Sequence, residues 1–225
     1  MVASKLVVFD AAGTLIKPVG GVIEIYHSIG QQYGSQLSVD QVRERFRKGR
    51  WEIFRCGADL RSSEKIEHYL WQQLVGFIFN DVTESTSLFE TLWTKFAQVD
   101  SWAKFDDVDE CLCALLEDNI TCVIGSNFDS RLLDIADSLF GDRCFAKVYC
   151  SSLLGYRKPS PHFYQCIADQ YPEHQITMIG DDRENDVLAP QRFGWDAIHI
   201  DRRSKKLNEG SIADLRFLQQ RFKGG

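Results

Sequence analysis

Lys5-Leu6-Val7-Val8-Phe9, running into Asp10-Ala11-Ala12-Gly13-Thr14-Leu15, decides how the rest of the chain is read. A short apolar, β-rich run that stops at an aspartate and a glycine is the signature of a buried strand ending in a turn. It is too short to span a membrane or to act as a signal peptide. Similar strand signals return at residues 121–124, 146–150, 176–179 and 197–200, with helical periodicity between them at 107–117, 130–140, 161–171 and 185–193. Strands alternating with helices of this length predict a parallel, Rossmann-like α/β sheet with right-handed crossovers. Chemistry in such sheets gathers at the carboxyl ends of the strands.

One stretch breaks the alternation. Residues 23–33, 39–55, 63–79 and 84–96 place apolar side chains three and four apart, the stripe of amphipathic helices, and no strand intervenes. Ser62-Ser63-Glu64-Lys65 and Thr83-Glu84-Ser85 read as helix starts, and Pro18-Val19-Gly20-Gly21 as a flexible lead-in. The expected division is an α/β core of residues 1–17 and 98–225 with an all-α cap of residues 18–97. A helical lid inserted just after an active-site strand is well placed to exclude water and select substrate.

The 225 residues are 44% hydrophobic and carry a net charge of −6. That composition suits a globular chain and argues against nucleic-acid or anionic-membrane partners, which need a basic surface. Seven cysteines without a CxxC pair favour reduced, partly buried thiols and a cytoplasmic setting. Cys111 and Cys113, two apart in a helical pattern, point to different faces.

Four short motifs fall after four different predicted strands: Phe9-Asp10-Ala11-Ala12-Gly13-Thr14-Leu15, Gly125-Ser126-Asn127, Tyr156-Arg157-Lys158-Pro159-Ser160-Pro161, and Gly180-Asp181-Asp182-Arg183-Glu184-Asn185-Asp186. In order and spacing the chain resembles the haloacid-dehalogenase-like hydrolases. Their first motif opens DxDGT[LV] or a variant, and Ser/Thr, Lys before Pro, and GDxxxND follow. The resemblance covers nearly the whole chain, cap included.

The residue types carry a coherent chemistry. A carboxylate such as Asp10 can attack phosphorus or carbon and form a covalent aspartyl adduct. Mg²⁺ held by oxygen ligands would screen it from an anionic substrate. The resemblance implies metal ligands from Asp10, the Ala12 carbonyl, Asp181 and Asp182, with Asp181 the likelier direct ligand of the last two and Asp186 holding them from outside. Lys158, a compact charge, suits Asp10 and a phosphate oxygen. Ser126 and the backbone N–H of Asn127 would bond the transferring oxygens, with Thr14 as hydroxyl donor opposite and Gly13 lining the substrate. Taken singly, each motif has a plainer reading: a turn cap for Asp10 or Asp182, a solvated lysine for Lys158, a helix cap for Ser126.

One departure matters. In family phosphatases the second residue after the nucleophile is the aspartate that protonates the leaving group, and here it is Ala12. The 2-haloacid dehalogenases and phosphonoacetaldehyde hydrolases also lack that acid, because their leaving groups need no proton. Asp181, Asp182 and Asp186 keep a metal site and argue against dehalogenase. Arg47 stands where a dehalogenase cap arginine would bind halide or carboxylate, and Lys48 would be the amine of a phosphonatase. The stretch Arg43-Glu44-Arg45-Phe46-Arg47-Lys48-Gly49-Arg50 puts positions 43, 47 and 50 on one helical face, which can equally be a solvated charged face. The expectation is Mg²⁺-dependent hydrolysis of a small phosphorylated, anionic substrate. The alternatives are cleavage of a carbon–heteroatom bond, or non-catalytic binding of a metabolite or partner.

Overall fold

The structure, a computed structural model, describes residues 4–54, 60–202 and 211–218. Arg55, where the second helical pattern ends, and both extreme ends of the core range lie outside these residues. The chain opens with β1 (Ser4–Phe9) and β2 (Ile16–Pro18). Four helices follow: α1 (Val22–Gln32), α2 (Val39–Phe54), α3 (Glu64–Ile78) and α4 (Ser85–Lys95). Then come β3 (Trp102–Lys104), α5 (Val108–Glu117), β4 (Thr121–Ser126), α6 (Arg131–Phe140), β5 (Lys147–Cys150), α7 (Ser151–Leu154) and α8 (Pro161–Ala168). The chain continues through β6 (His174–Gly180), a π-helical turn over Arg183–Leu188, α9 (Ala189–Phe193), β7 (Asp196–Ile200) and β8 (Ser211–Ile212).

Six strands form one parallel sheet in the order β5-β4-β1-β6-β7-β8. β1 is central, with Phe9 opposite Ile124 on one side and Ile179 on the other. Its side chains alternate between two apolar layers. Val7 and Phe9 join Cys122, Ile124 and Ile179 under α5 and α6, while Leu6 and Val8 join Val123 and Met178 under α8 and α9. A strand covered on both faces needs no polar residues, which is why the sequence reads as an unbroken apolar run. After β5 the chain returns to the far side of β1, so the crevice beyond β1, β4 and β6 is where the direction of winding switches.

The helices α1–α4 leave and rejoin the core through the antiparallel pair β2–β3, in which Ile16 faces Lys104 and Pro18 faces Trp102. They bury their own apolar cluster, including Tyr26, Val42, Leu74, Ile78, Leu88 and Phe89. Ser63 caps α3 by accepting from the Ile66 amide at 3.2 Å. Several expectations need correction. The lead-in at Pro18 is stapled rather than flexible, since Pro18 lies in β2 and the Val19 amide donates to the Ser101 carbonyl at 2.9 Å. The helix expected at 185–193 is a π-helical turn followed by a short α-helix, and β2, β3 and β8 were not anticipated. No helix among the described residues is long and apolar enough to cross a membrane. The six described cysteines are unbridged, with Cys111 buried and Cys113 exposed. Burial pushes the thiols of Cys111, Cys122 and Cys150 up to about 12, which leaves them unreactive near neutrality.

The insert is bonded to the core at several points. Residue 61 bridges Tyr156 in antiparallel fashion, flanked by Ser62 N–H donating to the Gly155 carbonyl at 2.9 Å and Arg157 N–H to the Leu60 carbonyl at 2.8 Å. Glu64 of α3 accepts from the Ser130 amide at 3.0 Å and from the Ser152 hydroxyl at 2.5 Å. Arg131, held by Asp129, donates to the Trp93 carbonyl at 2.8 Å and lies over the Trp93 ring.

Candidate active site

The ends of β1, β4 and β6 and the loop after α7 bring Asp10, Ser126, Lys158, Asp181 and Asp186 to one place. Asp10 Oδ1 accepts from Ser126 Oγ at 3.0 Å and from Lys158 Nζ at 2.8 Å, which leaves its second oxygen open. Lys158 is buried and spends all three ammonium donors: on Asp10, on Asp186 Oδ1 at 2.6 Å, and on the Gly125 carbonyl at 2.9 Å. Burial works against its charge, but the two carboxylates outweigh that effect and hold the ammonium well above its ordinary pKa.

Asn127 enters through its side chain. Its amide donates to the Lys158 carbonyl at 2.9 Å and accepts from the Lys158 N–H at 2.7 Å, a two-point clamp on the lysine backbone. Asp186, also buried, accepts from Lys158 on one oxygen and from the Asp182 amide at 3.0 Å on the other.

Two glycines are required by this crowding. Gly13 sits at φ 97°, and a Cβ there would come within 2.4 Å of the Asp181 carboxylate. A Cβ on Gly180 would come within 2.2 Å of Asp186.

Asp10, Asp181 and Asp186 each offer an oxygen within 4.8 Å of the others. A set of hard oxygen donors at that separation fits Mg²⁺. Their crowding leaves a record in proton affinity. Asp181 keeps an exposed edge, yet partial loss of hydration among its neighbours and then the Asp10 charge push it up to about 7, with Arg50 pulling the other way. Burial raises Asp186 despite the Lys158 charge beside it. A divalent cation would oppose both shifts by favouring the charged carboxylates.

Other expected residues are placed differently. Asp182 stands outside the acidic group, because its Oδ1 caps the π-helical turn by accepting from the Glu184 and Asn185 amides, both at 3.0 Å. Of the two sequence readings for Asp182, capping is the one its side chain adopts. Thr14 is fully buried and its hydroxyl has no partner among the described residues, while its carbonyl accepts from Arg202 at 2.6 Å, so it is enclosed rather than turned to substrate. Ala12 lies in the turn after Asp10, half-buried against the core. Arg47 and Lys48 are exposed on α2, Lys48 lies 3.8 Å from Glu52, and neither hydrogen-bonds to a site residue among those described.

Sequence reasoning missed three features: the Asn127 clamp, the Gly125 carbonyl, and the pair of Arg157 with Glu67 at 3.7 Å. The last had a signal in Arg157 standing next to Lys158. The others depend on contacts between distant parts of the chain.

A parallel sheet with a helical insert after its first strand, and an aspartate–lysine–serine cluster at the strand ends, defines a class of hydrolase. The haloacid dehalogenase-like hydrolase model matches residues 4–194, and the chain belongs to that family. An uncharacterized hydrolase of Schizosaccharomyces pombe is 22% identical over 209 residues, 88% of this chain and 90% of the relative. Among solved structures, the magnesium-bound hydrolase YfnB of Bacillus subtilis superposes with a TM-score of 0.75 at 14% identity, covering 98% of this chain and 99% of that one. The L-2-haloacid dehalogenase of Xanthobacter autotrophicus with covalently bound chloropropionic acid gives 0.75 at 14%, with the same coverage. A predicted phosphoglycolate phosphatase of Haemophilus somnus gives 0.70 at 17%, covering 98% of each chain. At these identities the structural likeness shows the fold.

Proposed function

We propose that the protein is a Mg²⁺-dependent phosphatase acting on a small phosphorylated metabolite through a covalent intermediate at Asp10, with α1–α4 serving as a cap domain. The observation that carries this reading is the pairing of Asp10 Oδ1 with both Ser126 and Lys158, beside Asp181 and Asp186. The two donors fix the carboxylate and leave the other oxygen aimed outward as nucleophile. When bound, Mg²⁺ held by Asp10, Asp181 and the Ala12 carbonyl, with Asp186 behind them, would supply charge screening and Lewis acidity.

Asp10 attacks phosphorus, its new O–P bond forms, and the ester O–P bond breaks. The freed oxyanion takes its proton from solvent, since Ala12 has none to give. A water then attacks the aspartyl phosphate, releasing inorganic phosphate and restoring the carboxylate. Ser126 keeps Asp10 oriented, and Lys158 stays charged throughout to balance the transferring oxygens. Without a positioned acid the reaction favours leaving groups that depart readily unprotonated, such as aryl or acyl phosphates.

Ala12 also favours a second reading, cleavage of a carbon–heteroatom bond, whose leaving group needs no proton. Lys48, paired with Glu52 on the exposed face of α2, gives the phosphonatase form of that reading no amine at the site. The test is to incubate the protein with an aryl phosphate, an acyl phosphate and a 2-haloacid, with and without Mg²⁺, and to look for a mass adduct on the Asp10 peptide with Asp10→Asn as control. A phosphoryl adduct and Mg²⁺-dependent turnover are expected. An alkyl adduct formed without metal would establish dehalogenation instead, and no adduct under any condition would leave a non-catalytic protein.

A further inference from the structure

Arg157 is a poorly satisfied cation. It is only 7% exposed, its Nη1 has no hydrogen-bond partner among the described residues, and the acid paired with it there, Glu67, stands 3.7 Å from Nε, beyond hydrogen-bond length. That Glu67 oxygen, Oε1, is already engaged by Ser62 at 2.6 Å and Ser151 at 3.1 Å, while Oε2 is buried without a hydrogen-bond partner among the described residues. The guanidinium lies over the Phe54 ring, 4.7 Å from its centre. Phe54 fixes the direction of α2, because Arg50 stands one turn before it on the same face. Arg50 is exposed, has no hydrogen bond or ion pair among the described residues, and lies near enough for its charge to act on both Asp181 and Arg157. By contrast Arg43, Arg45 and Lys48 of the same helix have partners in Glu24, Asn80 and Glu52.

Two neighbouring cations with free donors, one of them buried, are costly unless an anion comes between them. Lys158 cannot be that anion's partner, because its three donors are spent. We propose that Arg50 and Arg157 form a second anion-binding subsite beside the reaction centre, so that the substrate is a phosphorylated acid whose distal oxyanion they hold. This rests on the phosphatase reading and names its substrate class. Guanidinium forks match carboxylate and phosphate alike, so the shared chemistry is a second oxyanion a short linker away from the reacting phosphoryl group.

Phosphonates test the subsite without turnover, since they have no ester oxygen to lose. Binding of ethylphosphonate, 3-phosphonopropionate and 1,2-ethylenebisphosphonate would be measured by calorimetry in Mg²⁺ for wild type, Arg50→Gln and Arg50→Lys. Wild type should prefer the two-anion ligands by on the order of 10- to 100-fold, the worth of a charge-assisted bond pair. Whichever of the two binds more tightly identifies the distal group as carboxylate or phosphate. Arg50→Gln should abolish most of the preference and Arg50→Lys should restore part of it. Equal binding of all three ligands by wild type, no binding at all, or a loss in Arg50→Gln that falls equally on every ligand would overturn the subsite. If the preference holds while no phosphate ester is turned over, the phosphatase reading fails and the subsite stands.

Discussion

Replacing Asp186 with asparagine isolates the residue that anchors the Lys158 ammonium. Asp186 is 1% exposed, and its two oxygens accept from two groups that can only donate: the Lys158 ammonium at 2.6 Å and the Asp182 backbone amide at 3.0 Å. Asparagine keeps one acceptor oxygen and turns its NH₂ toward the other donor, whichever way the amide is flipped. One buried donor is then left facing a donor, and the bond to Lys158 loses its charge. Rotation into another rotamer is opposed by the tight approach of Gly180.

The cost is that of a lost charge-assisted hydrogen bond plus an unsatisfied buried group, about 2–4 kcal/mol. Denaturant unfolding with an unchanged m value should report it. The loss should be larger with Mg²⁺ present than without. In the metal-free protein, removing one of three crowded carboxylates also relieves repulsion, and that relief offsets part of the damage. Turnover should fall roughly 10- to 100-fold, as is usual when a residue that orients a ligand or base is removed. A destabilisation under about 1 kcal/mol, or one smaller with Mg²⁺ than without, would refute the claim that Asp186 serves both donors.

Three further outcomes are expected. Because the folded-state pKa of Asp181 is raised to about 7, its contribution favours folding below its unfolded value and is lost as pH rises; metal-free protein should therefore melt at lower temperature at pH 8 than at pH 5.5, and Mg²⁺ should flatten that slope. Glu64→Ala, which removes the bonds from α3 to Ser130 and Ser152, should cost about 1 kcal/mol in denaturant unfolding and raise KM more than it lowers kcat. Ala12→Asp should raise turnover of alkyl phosphates about 10-fold or more while changing p-nitrophenyl phosphate little, as steady-state rates on the two substrates would show.

The strands of the sheet were legible because burial on both faces leaves no polar residue to break the apolar run, as in Leu6–Phe9 and its neighbours. The pair β2–β3 was not, since three residues ending in proline carry no periodicity and are fixed only by a partner more than 80 residues away. The motif residues Asp10, Ser126 and Asp181 could be picked out because each stands at the end of a strand, and Lys158 because its motif comes soon after one, with only the short helix α7 between. The duties of Asp182 and Asn127 could not. A carboxylate after a strand serves equally as ligand or helix cap, and only the Glu184 and Asn185 amides decide for the cap. Positions 43, 47 and 50 shared one face of α2 in the sequence, but which of them approaches the core depends on the contact of Phe54 with Arg157, over a hundred residues apart.

The distribution of charge in the site bears on why Ala12 can be tolerated. Asp10, Asp181 and Asp186 surround the single ammonium of Lys158, so the metal-free site already holds more negative charge than it can balance, as the raised proton affinities of Asp181 and Asp186 record. A fourth carboxylate at position 12 would be useful only if it were protonated at the moment the leaving group departs, and its presence would add to that excess at every other moment. Alanine removes both the acid and the added repulsion. It leaves unchanged the parts of the proposed mechanism that do not depend on a proton: Asp10 held by Ser126 and Lys158, the lysine's charge, and the carboxylate oxygens of Asp10, Asp181 and Asp186. The segment that carries Lys158 is also paired through Tyr156 and Arg157 to residues 60–62 of the helical insert. The backbone just before Lys158 is therefore held by the helical insert as well as by the core, while the ammonium itself already stands 2.8 Å from Asp10.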